Sequence, residues 1–327
     1  MIDTAEEEVR GGVRGSPGPG SRTGPVRRRV RLGPYLLILP SLVVIGALLV
    51  WPVLQIGRMS FQNVGVRQLR GRPAENVGLA NYRQVLGDDL FWTALRHTLL
   101  FAAVAVTATL ITGTLTGLLL SRLGHRMSAL VTGGIMVAWA TPPVTAAVVF
   151  SWLFGTTGGL VDWFLDLLPD SLVGSGWQGY NWFARPLPTY TVLTLCVVWM
   201  SFPFIAVSVL AGLRSVPDEL YQAARVDGSN AWQRFWKITF PLLRPIFGVL
   251  LTLSVIWDFR VFTQLFVLSG LANRDAFNLS LYGYSEAFGS LNAKYGLGSA
   301  IAVILTLIVL VVTAVHVRTI VRQEGAA

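Results

Sequence analysis

Six apolar segments, each close to the length that a helix needs to cross a bilayer, constrain the fold of this chain more than any other feature. Hydrocarbon offers no partner for backbone N–H and C=O groups, so such a segment folds as a helix. The chain has 53% hydrophobic and 13% charged residues, which is far more apolar than a soluble domain. We therefore predict an all-α integral membrane protein with six transmembrane helices. The segments lie at about 34–54, 98–121, 128–153, 189–212, 242–264 and 297–317.

The two ends of the chain differ in composition from this apolar part. Residues 1–33 contain an acidic patch, a Gly/Ser/Pro-rich run and then an arginine cluster from Arg27 to Arg31. This pattern predicts a disordered cytoplasmic tail followed by a basic stop. We expect residues 34–320 to form the transmembrane domain and residues 321–327 a short cytoplasmic tail. The positive-inside rule places both termini in the cytoplasm, although several arginines in the first outer loop weaken the signal.

The sequence contains no motif for chemistry of its own. It has no phosphate-binding loop, no His-Glu-x-x-His, no Gly-x-Ser-x-Gly and no spaced Cys/His ligand set. Its one cysteine, Cys196, lies inside an apolar segment and is expected to be a buried apolar residue. We therefore predict no catalytic residue, no metal site and no bound cofactor. The net charge of +9 is explained by arginines beside the membrane, so we expect no nucleic acid partner.

A polar island separates the fourth and fifth apolar segments and is too charged to cross a bilayer. Ser215 and Asp218 have the spacing of a helix cap, and Gly228 is a helix stop. Aromatic residues then recur at helical spacing before Pro241, which predicts a second short amphipathic helix that ends there. The island is therefore predicted to be a bent platform of two helices. A loop that rests on lipid headgroups is the alternative interpretation.

This island resembles the Glu-Ala-Ala…Gly…Ile-x-Leu-Pro loop of bacterial ABC importer permeases in its residues Gln222-Ala223-Ala224, Gly228, Ile238 and Phe240-Pro241. The series of matches looks like the carbohydrate-uptake subgroup, the MalF-type permeases, and implies the type I ABC importer permease fold. The other matching motifs are Gly78-Leu79-x-Asn81-Tyr82, Phe91-Trp92-x-Ala94-Leu95-x-x-Thr98, Pro142-Pro143, Trp199-x-x-Phe202-Pro203-Phe204 and Asp227-Gly228-x-x-x-Trp232-x-x-Phe235.

The resemblance implies that residues 214–241, here named the coupling loop, dock on a cytosolic ATPase. Gln222 stands where the family has a glutamate, so an ion pair from that position is in doubt. The resemblance also implies four kinds of partner: a second homologous permease, two copies of a cytosolic ABC ATPase that holds ATP and Mg, an extracytoplasmic sugar-binding protein, and membrane lipid. The implied ATPase-coupling residues are Leu220, Tyr221, Gln222, Ala223, Ala224, Arg225, Asp227 and Gly228.

Asp258 and Arg260 lie in the fifth apolar segment, about 16 residues or roughly 24 Å past its start. Charges at membrane depth face a cavity or a partner, so a functional role is expected. An ion pair between the two, with Arg260 reaching the interface, is the alternative. Helical spacing and the resemblance together predict two substrate-binding stripes, and helix packing is the competing interpretation for the apolar members. The stripes are Ser254, Trp257, Asp258 and Val261 on the fifth segment and Val197, Met200, Ser201 and Phe204 on the fourth.

These patterns predict one permease subunit of a binding-protein-dependent ABC importer. It would move a sugar, a di- or oligosaccharide, into the cytoplasm by alternating access driven by a separate ATPase. An ABC importer permease for a non-sugar solute, such as a phosphate ester or a polyamine, is the alternative. A membrane enzyme or sensor finds no support in the motifs.

Overall fold

The computed structural model describes residues 33–324. The predicted N-terminal tail, except for Gly33, lies outside the described residues. The chain divides into two compact units, Met1–Trp51 and Pro52–Ala327. The first unit contributes α1 (Gly33–Ile45), a π turn at Gly46–Val50 and the start of α2 (Trp51–Met59).

In its described residues, 52–324, the second unit is helical apart from one small hairpin. Its strands β1 (Gln62–Asn63) and β2 (Glu75–Asn76) pair antiparallel. Two short turns interrupt the helices, a π turn at Phe235–Thr239 and a 3₁₀ turn at Arg274–Ala276. The helices are α3 (Val66–Leu69), α4 (Ala80–Leu86), α5 (Asp89–Arg122), α6 (His125–Ala140), α7 (Pro143–Leu153), α8 (Leu160–Asp166), α9 (Asp170–Val173), α10 (Pro186–Arg214), α11 (Asp218–Val226), α12 (Ala231–Arg234), α13 (Phe240–Phe259), α14 (Thr263–Ser269), α15 (Leu279–Phe288) and α16 (Tyr295–Glu324).

Within residues 33–324, five helices are long and apolar enough to cross a membrane, and the pair α6 and α7 makes a sixth, bent span. This arrangement confirms the all-helical, six-span prediction. The last helix reaches Glu324, four residues into the segment predicted as a C-terminal tail, and residues 325–327 lie outside the description. The five unbroken spans are Ile38–Met59, Asp89–Arg122, Pro186–Arg214, Ala231–Phe259 and Tyr295–Thr319.

The third span is broken, where the sequence predicted one continuous segment. Helices α6 and α7 meet at 94°. Thr141 and Pro142 both have extended ψ angles, 127° and 141°. The cause is the Pro142-Pro143 pair, because each proline lacks an N–H and disfavours helical geometry in the residue before it.

Helices α5 and α10 pack closely against each other. A Cβ on Gly113 would lie 2.5 Å from the Cβ of Ile205, and one on Gly117 would lie 2.8 Å from the carbonyl oxygen of Ala206. Glycines four residues apart let two membrane helices approach closely, as in other small-residue contacts. The pairing fixes α10, whose C-terminal end leads directly into the coupling loop.

Several motif residues tie the chain together at the opposite end of the spans. Asn81 donates to the carbonyl oxygens of Ser60 and Gln62 at 2.9 and 3.0 Å. The hydroxyl of Thr98 accepts a hydrogen bond from the backbone N–H of Leu279 at 3.0 Å. These contacts give the motif residues structural roles.

A second polar contact at this end joins α15 to the start of α5. The Tyr282 hydroxyl donates to Asp88 at 2.6 Å, and Asp88 also caps α5 by accepting from the N–H of Leu90. Burial raises the pKa of Tyr282, and the hydrogen bond to the Asp88 carboxylate raises this pKa further. Tyr282 therefore stays a hydrogen-bond donor.

Candidate functional site: the coupling loop and the polar end of the fifth span

The first helix of the coupling loop is α11, which begins at Asp218 and not at a Ser215 cap. The Ser215 hydroxyl donates backwards to the carbonyl oxygen of Gly212 at 2.7 Å, so Ser215 ends α10 instead. Pro217 precedes the helix, and Asp218 and Glu219 occupy its first turn, where the helix dipole favours anions.

Gly228 stops this helix, as the sequence predicted. Its φ of +74° lies in the left-handed region, which a side chain disfavours. Asn230 then begins α12 with a reciprocal cap: its side chain accepts from the Gln233 N–H at 2.8 Å, and its own N–H donates to the Gln233 side chain at 2.9 Å.

The prediction of a separate second helix ending at Pro241 is wrong. The helical path runs from Ala231 to Phe259 as a single candidate span. The π turn at Phe235–Thr239 leads into α13, and Pro241 lies in the first turn of α13. A proline within a helix removes one backbone donor, and the π turn just before Pro241 is where the helical path adapts to it. The aromatic part of the coupling loop is therefore the base of the fifth span.

Tyr221 anchors α11 to this base. Its hydroxyl lies 3.0 Å from the Thr239 hydroxyl, which is only 3% exposed. The Tyr221 ring also packs with buried Val216 and Leu243 on the cluster between α10 and α13. Tyr221, predicted as a contact residue for a partner, thus faces inward and holds the loop.

The opposite face of α11 points away from the chain. Ala224 is half-buried, while Val226 is 89% exposed. Apolar side chains this exposed outside the hydrocarbon are typical of surfaces that bind a protein. The sequence motif did not single out Val226; its position at the end of a short polar helix is the signal that would have found it. The exposed members of the predicted coupling set are Leu220, Gln222, Ala223, Arg225, Asp227 and Gly228.

The predicted substrate residues divide into two groups in the structure. Val197 and Val261 are 3% and 6% exposed and belong to the main hydrophobic core, so they have a packing role. Phe204 and Trp257 instead meet edge to face with ring centroids 5.6 Å apart, and Trp257 is 42% exposed. The two predicted stripes therefore converge at this aromatic pair.

Two further residues join this group without having been predicted. Trp139, at the end of α6, stacks on Phe204 with centroids 5.8 Å apart. Gln264 of α14 donates to the Met200 sulfur at 3.9 Å. Ser201 is half-buried on the same helix as Met200. Tertiary packing of α6 and α14 brings Trp139 and Gln264 here, so helical spacing within the predicted stripes did not include them.

Asp258 lies one residue before the end of α13 and is 4% exposed, and Ser254, one turn earlier, is 3% exposed. Arg260 follows α13 and is exposed. Within residues 33–324, the salt bridges join Glu286 to Arg274 and to Lys294, so the described chain contains no Asp258–Arg260 pair. The buried carboxylate stands beside the exposed Trp257. Hydrogen-bond acceptors next to an aromatic face suit a polar, hydroxyl-bearing ligand.

Known proteins resemble this chain in sequence and in fold. A sequence profile of the family described as "Binding-protein-dependent transport system inner membrane component" matches residues 111–323. The diacetylchitobiose uptake system permease protein of Streptomyces coelicolor is 39% identical over 309 residues, covering 93% of this chain and 92% of that protein. The trehalose/maltose transport system permease protein of Thermococcus litoralis is 33% identical over 294 residues, with 89% and 94% covered.

A solved structure shares the fold. A chain of a bacterial ABC transporter involved in the import of the acidic polysaccharide alginate superposes with a TM-score of 0.74 at 18% identity, over 89% of this chain and 95% of that one. At this level of identity the likeness concerns the arrangement of the helices and not the residues of the site.

Proposed function

Because the chain belongs to the family of binding-protein-dependent transport system inner membrane components, we propose that it is one permease subunit of a carbohydrate ABC importer. As a member of this family it is a multi-pass membrane component of a transporter and not an enzyme. Its substrate is a di- or oligosaccharide. The relatives named for diacetylchitobiose and for trehalose or maltose support that class.

The observation that carries this proposal is α11 of the coupling loop, a polar helix that packs on one side against the hydrophobic cluster between α10 and α13 and is exposed on the other. Tyr221 and Val216 hold its inner face, while Leu220 and Val226 are exposed. Rigid attachment behind an exposed apolar face is what a force-transmitting contact requires. We assign this face to a cytosolic ATPase, which holds ATP and Mg.

The complete importer contains this chain, a second homologous permease, two ATPase copies and an extracytoplasmic sugar-binding protein. Both termini and the coupling loop are cytoplasmic, in keeping with the arginines beside the spans. ATPase closure moves the coupling loops, and the bundle alternates between inward- and outward-facing states. Met200, Ser201, Phe204, Ser254, Trp257 and Asp258 contact the sugar in the membrane.

The substrate assignment is tested on the binding protein that co-purifies with the complex. Calorimetry against a panel that includes diacetylchitobiose, trehalose, maltose and cellobiose should give one saturable sugar ligand. Proteoliposomes with the full complex should then accumulate that sugar only with ATP inside. Binding of a phosphate ester or a polyamine, with no sugar bound, would replace the carbohydrate assignment by the alternative solute.

The coupling assignment is tested by Gly228→Pro, because proline fixes φ near −65° whereas the position requires +74°. ATPase activity stimulated by the loaded binding protein should fall to its basal rate. Gly71→Pro is the matched control, since Gly71 has a φ of +93°, lies in the first loop, and a Cβ added there would meet no heavy atom within 4 Å. Normal stimulation in Gly228→Pro, or equal loss in both variants, would contradict the coupling role.

A further inference from the structure

Two neighbouring cavities lie behind the coupling loop and share a wall. The first has a volume of about 1050 Å³ and lies between α5, the α12–α13 path and α16. The second has a volume of about 640 Å³ and lies between the α5–α6 turn and α11. Four residues line both cavities, namely Leu118, Arg122, Ala231 and Phe235. The two spaces therefore form one cleft with two chemically different halves.

The larger half is apolar. One wall is the aromatic row Trp232, Trp236, Phe240 and Phe247, in which successive ring centroids are 5.6, 5.0 and 5.4 Å apart. The facing wall is an aliphatic stripe of α5. Its residues are Leu110, Ile111, Leu115 and Leu118. A water-soluble ligand gains little from such walls, whereas acyl chains pack well against them.

The smaller half is basic. Its lining contains five basic side chains against one acidic side chain, Asp218. In the part of the chain that the structure describes, none of these arginines takes part in a salt bridge. Arg244 and His316 are two further basic residues, and they line the apolar half. The five basic residues are Arg122, His125, Arg214, Arg225 and Arg234.

We propose that this paired cleft binds one acidic glycerophospholipid, with its phosphate held by Arg122 and neighbouring guanidiniums and its acyl chains in the apolar half. Arginine binds phosphate oxygens through paired N–H donors, and basic pockets between membrane helices select anionic headgroups. Trp232 and Trp236 line the apolar half and follow directly after Ala231 and Phe235, which line both halves; tryptophan is enriched at membrane interfaces. Charge and shape thus match one amphipathic occupant.

The lipid would bear directly on transport because the basic half is also lined by Tyr221 and Arg225 of α11. Its headgroup fills the space between α11 and the α5–α6 turn, so it supports the coupling loop from behind. This site is separate from the sugar contacts and does not depend on which solute the importer carries.

The test compares two double variants of the complete, purified complex. Arg122→Gln with Arg244→Gln removes two cationic lining residues. Arg126→Gln with Arg318→Gln removes the same charge from exposed positions that line neither cavity. Native mass spectrometry then measures the retention of added phosphatidylglycerol and of phosphatidylcholine.

Wild type and control should retain phosphatidylglycerol in preference to phosphatidylcholine. The lining variant should lose affinity for phosphatidylglycerol by about thirtyfold, because each guanidinium near an anionic surface contributes about fivefold. Equal retention in all three proteins, or equal loss in both double variants, would overturn the proposal. Assembly with the partner subunits, checked by size exclusion, guards against a folding defect.

A second measurement separates a lipid from other occupants. Phosphatidylglycerol with a diazirine in its acyl chain should crosslink to residues 110–118 and 247–251, and excess glycerol 3-phosphate should not compete. Full competition by glycerol 3-phosphate would mean a site for a soluble anion. If the probe does not label these segments, and a separate protein–protein crosslink joins them to a helix of the second permease, protein fills the cleft. Either result sinks the lipid assignment.

Discussion

The hydrogen bond between Tyr221 and Thr239 offers the sharpest test of how the coupling loop is held. Tyr221→Phe removes a hydroxyl 3.0 Å from the Thr239 hydroxyl and leaves the ring in place. Thr239 is 3% exposed, so its hydroxyl loses its partner without gaining water. A buried hydroxyl left in this way costs about 1–3 kcal/mol. At about 1.4 kcal/mol per tenfold, the anchored loop becomes less populated by between about fivefold and about 140-fold.

The assay is ATPase activity of the reconstituted complex, with and without sugar-loaded binding protein. We expect Tyr221→Phe to lower the stimulated rate and to leave the basal rate unchanged. Combining it with Thr239→Val removes both hydroxyls and so should restore part of the stimulation. Tyr284→Phe, which alters a ring packed on Phe262 at the other end of the bundle, is the control. A double variant as defective as Tyr221→Phe alone would refute the anchoring role and favour direct contact of Tyr221 with the ATPase.

Three other outcomes are expected. Gly113→Ala should lower the thermal midpoint of the purified complex by an amount equivalent to about 1–3 kcal/mol, because the added Cβ has no room against α10. The control is Gly133→Ala, whose added Cβ meets nothing within 4 Å and should not lower the midpoint. Equal midpoints for the two variants would contradict the close packing. Asp258→Ala should reduce sugar uptake by about twofold to tenfold, the loss of one hydrogen bond, with basal ATPase activity retained; unchanged uptake would exclude the contact. Cysteines at Leu291 (98% exposed) and at exposed Arg126 should react with an impermeant reagent from outside and from inside, respectively; the reverse pattern would invert the orientation.

Apolar length and left-handed glycine geometry are local properties, and they were predictable. The spans and the stop at Gly228 each follow from a few neighbouring residues. The first helix of the coupling loop, α11, is likewise real, because its acidic first turn and its Gly228 stop act locally, whereas the predicted Ser215 cap and the separate second helix were wrong.

Properties that depend on tertiary packing were not predictable in this way. Nothing local to α11 tells which side of it faces α13, so Tyr221 was assigned outward. The π turn at Phe235–Thr239 joins α12 to α13, so the helix continues through Pro241 and does not end there. Asn278 lies in a polar stretch of the sequence, which its composition would place at the surface. It is nevertheless 1% exposed, because its side-chain amide donates to the carbonyl oxygen of Val261 and accepts from the N–H of Leu281.

The elbow in the third span has a consequence for which side of this chain can meet membrane hydrocarbon. Pro142 and Pro143 have no N–H, so the carbonyl oxygens of Ala138 and Trp139 lack their helical donors four residues on. Ala138 recovers a donor from Thr141 at 3.2 Å. Backbone bent in this way at membrane depth is tolerated only against protein or water. The elbow, where the Trp139 ring stacks on Phe204, therefore limits the lipid-facing surface of the chain. Acyl chains do not contact the elbow, and the protein or water that does contact it supplies hydrogen-bond donors.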